Sequence, residues 1–275
     1  MSGYLTGKAV VVTGAGRGLG AAYARLAAAE GARVVVNDVD GAAARVVATG
    51  IGAQAVADDS DIASWEGAGA LVSRCREEFG SIDGLVNNAG IFRLADPFSQ
   101  DPEEFRAVVE VNLLGTAYCG LRAIRAMRDQ GGGSVVNVTS GSHLGYPDVG
   151  AYGASKGGVA SLTYCWAADL AGTGVRVNAV SPNAHTRMAE AYEEYLGARA
   201  RGQNIGKPPE DNAPAVVFLL SDAAAGITGQ VVRVDGAELS LMSRPAVLPP
   251  LVRMTEPSVA AVAAALAKGS GAGGR

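Results

Sequence analysis

Tyr152 and Lys156 lie four residues apart in Tyr152-Gly153-Ala154-Ser155-Lys156, at the predicted start of a long buried helix. This spacing places the phenol and the ammonium on one helix face, about one turn apart. A phenol ionises near pH ~10 in model peptides, so it is a poor base at neutral pH unless its anion is stabilised. A cation ~5 Å away contributes roughly 3 kcal/mol at an effective dielectric of ~20. The pair therefore predicts an acid/base in which Lys156 lowers the pKa of Tyr152.

A tyrosine and a lysine also fall four apart by chance, and the surrounding sequence decides between the two interpretations. From Ala151 to about Ala171 the predicted helix carries almost no charge after Lys156. A lysine at the head of such a helix is uncommon unless it has a partner or a function.

A phosphate-binding loop is predicted near the N-terminus. The apolar run Lys8–Thr13 has the character of a buried parallel strand, and it leads into a glycine loop followed by an Ala-rich helix. Glycines let the backbone approach a pyrophosphate closely, and the helix dipole favours the anion. The residues assigned to the cofactor here are Gly14, Arg17, Gly18, Leu19 and Gly20.

Asp38 follows the second predicted strand, Arg33–Asn37. A carboxylate at that position can accept the ribose hydroxyls of adenosine and repels a 2′-phosphate. Arg17 in the glycine loop could instead attract a 2′-phosphate. We expect Asp38 to decide, because it lies where the ribose hydroxyls must be, and we predict NAD as the cofactor.

Strands alternate with helices along the chain, and each strand is almost continuously apolar. This pattern predicts an α/β fold with a doubly wound (Rossmann) seven-stranded parallel sheet in a single domain, residues 1–242. Ligands of such sheets bind at the carboxyl ends of the strands. The polar and turn residues that follow the third, fourth and fifth predicted strands are Asp58, Asp59, Asn88, Ala89, Gly90 and Ser140.

Composition excludes several classes of function. The net charge of the 275 residues is −4 without a basic run, which argues against nucleic acid and anionic membranes as partners. The three cysteines form no Cys-x-x-Cys and the two histidines lie far apart, so we expect no metal site, no disulfide framework and a cytoplasmic location. We also expect no membrane-spanning or secretory segment.

Four motifs in the same order resemble the classical short-chain dehydrogenases/reductases, over about residues 5–240. Thr13 to Gly20 looks like the Thr-Gly-x-x-x-Gly-x-Gly loop of that family, and Asn87-Asn88-Ala89-Gly90 is similar to its Asn-Asn-Ala-Gly segment. The family's catalytic positions are matched by Asn112, Ser140, Tyr152 and Lys156.

The resemblance implies an NAD-dependent oxidoreductase that interconverts a secondary alcohol and a ketone. Tyr152 would be the acid/base, Ser140 would bond the substrate oxygen, and Lys156 would lower the Tyr152 pKa while binding the nicotinamide ribose. Asn112 would hold a water in a proton relay. The resemblance also implies a homotetramer built through the helices beginning near Glu103 and Ala151, where small residues suit close packing. Further cofactor contacts that it implies are Pro182, Asn183 and Thr186.

Two departures from the family pattern bear on the site. The spacing from Ser140 to Tyr152 is one residue shorter than is usual, so Thr139 or Ser142 could present the hydroxyl instead. Pro182-Asn183 stands where Pro-Gly is common. The Pro-Asn-Ala form resembles the hydroxyacyl-CoA dehydrogenase modules of multifunctional β-oxidation enzymes.

Residues 184–210 are predicted to form a lid over a mid-sized apolar substrate, with Met188 and Tyr192 on its inner stripe. Permanent packing of this stripe on the core is the alternative. Ser142 and His143 are further candidate substrate contacts. Residues 243–275 form an extension with a helix expected from Ser258 to Lys268 and disorder expected at the end.

Two other functions compete with the dehydrogenase. A dehydratase or epimerase of the related extended fold would use the same Tyr-Lys pair, although the chain length and glycine spacing argue against it. A regulator that binds NAD without turnover is the other, and the intact set of four catalytic positions argues against it.

Overall fold

Short runs of valine and alanine form the strands at the centre of the molecule. The computed structural model describes residues 3–197, 206–247 and 256–269. The strands are β1 (Ala9–Val12), β2 (Arg33–Asn37), β3 (Ala55–Asp58), β4 (Gly84–Asn87), β5 (Gly133–Val138), β6 (Val175–Pro182), β7 (Val231–Asp235) and β8 (Glu238–Leu241). The helices are α1 (Gly18–Ala29), α2 (Gly41–Ile51), α3 (Trp65–Phe79), α4 (Pro102–Val109), α5 (Thr116–Asp129), α6 (Gly150–Asp169), α7 (Arg187–Leu196), α8 (Ala213–Leu220) and α9 (Val259–Gly269).

The described strands form one sheet in the order β3-β2-β1-β4-β5-β6-β7-β8. Alternate residues of each inner strand point to opposite faces, so Val10 and Val12 pack with α1, α2 and α8, whereas Val11 packs with α3 and α5. Both faces are covered, which is why the parallel strands have no polar side in the sequence. The predicted Rossmann-type α/β fold is confirmed.

The predicted strand count is wrong, because the described sheet has eight strands rather than seven and is not wholly parallel. β8 pairs with β7 in the antiparallel sense, with Asp235 opposite Glu238. The turn between them is short enough to need Gly236, whose φ is +60°. All four residues of β8 are exposed, so the strand lacks the apolar run that marks the buried strands.

The long helix that contains Asn112 is interrupted. α4 ends at Val109, a π-helical turn spans Glu110–Gly115, and α5 continues from Thr116. By length and composition alone, Pro102–Asp129 is apolar enough to cross a membrane, with 39% of its most apolar window buried. Its inner side packs against α3, α6 and the sheet.

The chain divides into two compact units, Met1–Met242 and Ser243–Arg275. In the second unit, α9 matches the helix expected from the sequence, and the Ser258 hydroxyl accepts a hydrogen bond from the Ala261 N–H (3.1 Å). Residues 270–275, where we expect disorder, lie outside the described residues. So do residues 198–205 of the predicted lid.

The order of the sheet reverses at β1, which has β2 and β4 as neighbours. The loops after β1 and β4 therefore meet at the carboxyl edge, where a doubly wound sheet has its crevice. The Thr13 hydroxyl accepts hydrogen bonds from the N–H groups of Asn88 (3.0 Å) and Ala89 (3.1 Å), and the Asn88 amide donates to the carbonyls of Thr13 and Gly14 (both 3.0 Å). These bonds hold the two loops together.

Gly14 and Gly18 both have positive φ, but only Gly14 is tightly packed. A β-carbon at Gly14 would lie 2.6 Å from the Ala89 Cα, whereas one at Gly18 would meet nothing within 4 Å. We expect Gly18→Ala to lower the free energy of unfolding by about 1 kcal/mol through backbone strain. Gly14→Ala should cost a further ~1–3 kcal/mol through overpacking. Urea unfolding of both variants checks this, and equal losses would contradict it.

Candidate active site

α6 places Tyr152 and Lys156 on one face, as their spacing predicts. Lys156 is 3% exposed, and its ammonium donates a 2.7 Å hydrogen bond to the Val138 carbonyl at the end of β5. Its Nζ lies 5.7 Å from the centroid of the Tyr152 ring. The ammonium is thus fixed between the sheet edge and the phenol.

The surroundings shift the pKa of each group in the direction that favours its neutral form. Burial lowers the pKa of Lys156 from 10.5 to about 8. Burial also raises the pKa of Tyr152 from 10.0 to about 12, although a hydrogen bond with Ser140 opposes the change. In the chain by itself, loss of water outweighs the Ser140 hydrogen bond, and the expectation that Lys156 lowers the Tyr152 pKa stays a prediction. At neutral pH the phenol is protonated and ready to act as an acid.

Ser140 is the hydroxyl that faces Tyr152. It begins a short 3₁₀ turn, Gly141–Leu144, and its Oγ accepts from the Ser142 N–H (3.2 Å) as well as contacting the phenol. The Thr139 hydroxyl donates to the Lys156 carbonyl (2.9 Å) and is committed there. The Ser142 hydroxyl is buried and has no hydrogen-bond partner. Of the three candidates, Ser140 is the one that the structure joins to Tyr152.

His143 supports this turn. Its Nδ1 donates a hydrogen bond to the Ser140 carbonyl, which defines the tautomer, and its ring is half-buried. Gly153 and Gly157 let the start of α6 lie against the turn, because a β-carbon at Gly153 would stand 3.1 Å from the Ser142 carbonyl. The position of Ser140 is therefore set by the packing of α6 on the turn.

Asn112 lies in the π-helical turn and is fully buried. Its Oδ1 accepts from the Ile91 N–H (2.8 Å), and its Nδ2 donates to the Ile91 carbonyl (3.0 Å) and to the Ser155 hydroxyl (3.1 Å). A β-carbon at Gly90 would lie 3.1 Å from this Oδ1 and 3.7 Å from the Lys156 Nζ. Protein groups thus occupy the side-chain amide, and the water relay stays a prediction.

Sequence reasoning missed Phe92. Its ring meets Tyr152 edge-on, with centroids 4.9 Å apart, and meets Tyr192 of α7 in the same way at 6.1 Å. Two residues past the Asn87–Gly90 segment, an aromatic at the carboxyl edge was a usable signal. Met188, also on α7, is 36% exposed. Phe92 and Tyr192 together form an apolar wall beside the phenol.

The cofactor half of the edge combines an uncapped helix with a carboxylate. α1 begins at Gly18, and no side chain caps its first N–H groups, which leaves them available to an anion. Gly18 is exposed and Leu19 is half-buried beside it. Asp38 at the end of β2 accepts from the Gly16 N–H (3.0 Å). Free N–H groups that could bind a phosphate, a carboxylate that could accept hydrogen bonds from a ribose and the Lys156 ammonium therefore lie at one sheet edge. This arrangement fits a dinucleotide.

Several residues assigned to the cofactor make local bonds. Asp58 accepts from the Asn37 amide and the Ser60 N–H (both 2.9 Å), while Asp59 lies against Gly41 at the start of α2. Asn183, next to Pro182, donates from its amide to Asp235 (3.0 Å), and the Thr186 hydroxyl caps α7. Asn183 is not among the residues with positive φ, so this position does not need the usual glycine.

Within the described ranges, no group of three or more His, Cys, Asp or Glu side chains could hold a metal ion. The free cysteines of that part of the chain are Cys75 and Cys119, which are buried, and Cys165, which is exposed.

A family model described as enoyl-(acyl carrier protein) reductase matches residues 14–236. The cis-4-hydroxycyclohexanecarboxylate dehydrogenase of Sinomonas cyclohexanicum is 41% identical over 238 residues, covering 83% of this chain and 95% of the relative. The chain is a classical short-chain dehydrogenase/reductase.

Solved structures of this family have the same architecture. A short chain dehydrogenase from Mycobacterium avium is 36% identical with a TM-score of 0.85, over 97% of this chain and 96% of that one. That coverage exceeds what residues 1–242 could supply, so the match continues into the C-terminal unit. A 3-ketoacyl-(acyl-carrier-protein) reductase from Brucella melitensis, complexed with NADH, is 35% identical with a TM-score of 0.78, over 85% and 98%. The family and this neighbour together indicate a nicotinamide cofactor for the oxidoreductase.

The buried Lys156 ammonium should make the stability of this oxidoreductase depend on pH in the alkaline range. Its pKa falls from 10.5 in the unfolded chain to about 8 in the fold. Between those pH values the unfolded state binds more protons, so the free energy of unfolding rises with pH, by roughly 3 kcal/mol across the window. Below pH 8 the cost of the buried charge is fully present.

Lys156→Met should remove this rise, because it replaces the ammonium with an apolar side chain of similar length. Urea unfolding of both proteins at pH 7, 9 and 10.5 measures the difference, in which the other titrating groups cancel. Parallel pH dependences would show that the Lys156 ammonium is not desolvated.

Proposed function

We propose that this protein is an NAD(H)-dependent oxidoreductase that interconverts a secondary alcohol and a ketone on a mid-sized apolar substrate. The observation that supports this most strongly is the Tyr152 phenol, bonded to Ser140, placed over the buried Lys156 and walled by Phe92. One protonated acid, one hydroxyl for the substrate oxygen and one apolar wall meet at a single sheet edge.

In ketone reduction, Tyr152 gives its proton to the carbonyl oxygen while the Ser140 hydroxyl holds that oxygen in place. In alcohol oxidation, Tyr152 takes the hydroxyl proton. The bound nicotinamide cofactor would give a hydride to the carbonyl carbon in reduction and take it back in oxidation. With the cofactor bound, Lys156 would bind the nicotinamide ribose and stabilise the Tyr152 anion, and Asn112 would hold a relay water behind Lys156. Outside the hydride step, these side chains only bind, orient and move a proton.

The cofactor would lie along the carboxyl edge. The first N–H groups of α1, at Gly18, Leu19 and Gly20, suit the pyrophosphate, and Asp38 suits the adenosine ribose. Asp58 and Asp59 border the adenosine side. The backbone at Asn88, Ala89 and Gly90 lies between these groups and Lys156. Pro182, Asn183 and Thr186 border the nicotinamide side.

The apolar wall favours a compact apolar substrate. Phe92 and Tyr192 stand beside Tyr152 through edge-to-face contacts, which a flat or cyclic carbon skeleton can extend. The Sinomonas relative is named for a six-membered ring that carries a secondary alcohol and a carboxylate, and the ring and the alcohol support a cyclic carbon skeleton. We propose residues 184–210, including Met188, as a lid over this wall, with Ser142 and His143 at its base.

The partners of this protein would be the small-molecule substrate and other copies of this chain. We propose a cytoplasmic location, and neither nucleic acid nor a membrane as a partner.

Oxidation of secondary alcohols separates this proposal from its rivals. Incubating the protein with NAD and a panel of cyclic hydroxy acids, steroids and 3-hydroxyacyl thioesters should produce NADH absorbance in proportion to substrate. An epimerase or dehydratase would convert the substrate without net formation of NADH. A non-catalytic regulator would neither convert the substrate nor form NADH.

Tyr152→Phe should lower kcat by at least ~10², because it removes the acid/base, while the affinity for NAD stays nearly unchanged. Lys156→Ala should weaken both turnover and NAD binding, since two roles are proposed for it. Steady-state kinetics and titration calorimetry separate the two effects. Retention by Tyr152→Phe of more than about a hundredth of wild-type activity would exclude Tyr152 as the acid/base.

Cofactor choice should follow Asp38. We expect a higher kcat/KM with NAD than with NADP, and Asp38→Ala should lower kcat/KM for NAD by about 10-fold or more through loss of a charged hydrogen bond to ribose. Asp38→Asn is the matched control, because it keeps an acceptor for the Gly16 N–H. A wild-type preference for NADP would refute the choice of NAD.

Two of the small residues on the helices assigned to the proposed homotetramer interface pack within the chain. A β-carbon at Gly120 would lie 2.5 Å from Trp166 and one at Gly158 would lie 2.9 Å from Leu113, so these glycines serve packing within the chain. The α4–α5 surface instead exposes Phe105, Leu114 and Leu121, each 36–39% accessible.

Burial of these three side chains between copies would stabilise the tetramer. Light scattering should give about four times the 27.7 kDa chain mass for the wild type, and Leu121→Arg should lower the mass. A wild-type monomer at micromolar concentration would contradict the proposal.

A further inference from the structure

A chain of hydrogen bonds joins the glycine loop to the turn between β2 and α2. The Gly16 N–H donates to one Asp38 oxygen (3.0 Å), and the other oxygen accepts from the Asp40 N–H (3.0 Å). A β-carbon at Gly16 would lie 2.8 Å from both Asp38 and Ala43, so the loop lies directly against the turn. Asp38 and Asp40 are thereby held at one corner of the cofactor site.

Asp40 also holds Arg17. One Asp40 oxygen caps α2 by accepting from the Ala43 N–H (3.1 Å), and the other accepts from the Arg17 guanidinium at 2.6 Å. The two side chains are about half exposed, at 44% for Arg17 and 48% for Asp40. An ion pair between two flexible surface side chains contributes little stability, because ordering both side chains costs entropy. Here the cap on α2 already orders the Asp40 carboxylate, so that cost is smaller.

This arrangement changes the meaning of Arg17. An arginine in a glycine loop, next to the ribose-binding carboxylate, has the charge and the fork geometry to bind a 2′-phosphate. In this structure its guanidinium is directed to Asp40 instead. A 2′-phosphate at this corner would meet two carboxylates and a cation that is already paired.

We propose that Asp40 is a positioning residue for cofactor specificity, which keeps Arg17 from the 2′-phosphate of NADP and so excludes that cofactor. The inference rests on the proposed NAD-binding function of the edge and adds a second determinant to Asp38. Replacing Asp38 alone leaves Arg17 on Asp40. Release of Arg17 requires a change at Asp40.

Asp40→Asn tests this with little effect on folding, because asparagine caps helices as well as aspartate does while it carries no charge. The probes are adenosine 2′,5′-bisphosphate and 5′-AMP, which differ at the 2′-phosphate. Titration calorimetry on the wild type, Asp40→Asn, Arg17→Ala and the double variant gives a complete cycle without turnover. Thermal unfolding of each protein checks that the fold is kept.

Asp40→Asn should tighten binding of the bisphosphate by about 10-fold, near the lower end of what a hydrogen bond to a charged group contributes, and should change 5′-AMP binding by less than about 2-fold. In the Arg17→Ala background the same substitution should gain less than about 2-fold. The gain should also shrink at high salt, since both groups are half exposed.

Equal gains with and without Arg17 would overturn the proposal, since they would show plain repulsion by Asp40. Absence of any gain in the Asp40→Asn protein would overturn it as well. Failure of the proposed function looks different, because it would appear as a wild-type preference for NADP in turnover, or as no binding of 5′-AMP by the wild type.

Discussion

A lysine ammonium buried against a backbone carbonyl constrains the arrangement of the site. A buried cation is costly unless it is partnered, and the Lys156 ammonium finds its partner in the Val138 carbonyl at the end of β5. The Thr139 hydroxyl bonds the Lys156 carbonyl in return, so two hydrogen bonds join β5 to the first turns of α6. Ser140 follows directly and is brought to Tyr152. The positions of acid, hydroxyl and cation thus depend on one junction between a strand and a helix.

The same edge places the cofactor groups through close backbone contacts. Thr13 and Asn88 tie the loops after β1 and β4 together, and Gly14 permits the approach to Ala89. Gly90 then lies beside both Asn112 and Lys156. The start of α1 and the Tyr152 phenol are therefore parts of one packed layer, and a displacement of one loop would displace the other.

The sequence predicts the buried strands and the positions of the motif residues, for identifiable reasons. Buried parallel strands appear as unbroken valine runs, and the motif residues fall where those runs end. β8 was missed although Asp235-Gly236, followed by the alternating Glu-Leu-Ser-Leu, is a hairpin signal. The π-helical turn at Asn112 has no local signal, since it accompanies bonds to Ile91 and Ser155 that form only in the fold. The pKa of Tyr152 depends on burial, which spacing alone does not give.

Exclusion of water, opposed by the hydrogen bond with Ser140, raises the pKa of Tyr152 in the chain by itself. Carbon-13 NMR of protein labelled at the tyrosine Cζ, without added cofactor and with Tyr152 assigned through Tyr152→Phe, measures this ionisation directly. Because the pKa of Tyr152 is raised to about 12, its signal should remain that of the protonated phenol at pH 10.5. An ionisation midpoint below pH 9 would contradict this pKa and would show that Lys156 already stabilises the phenolate.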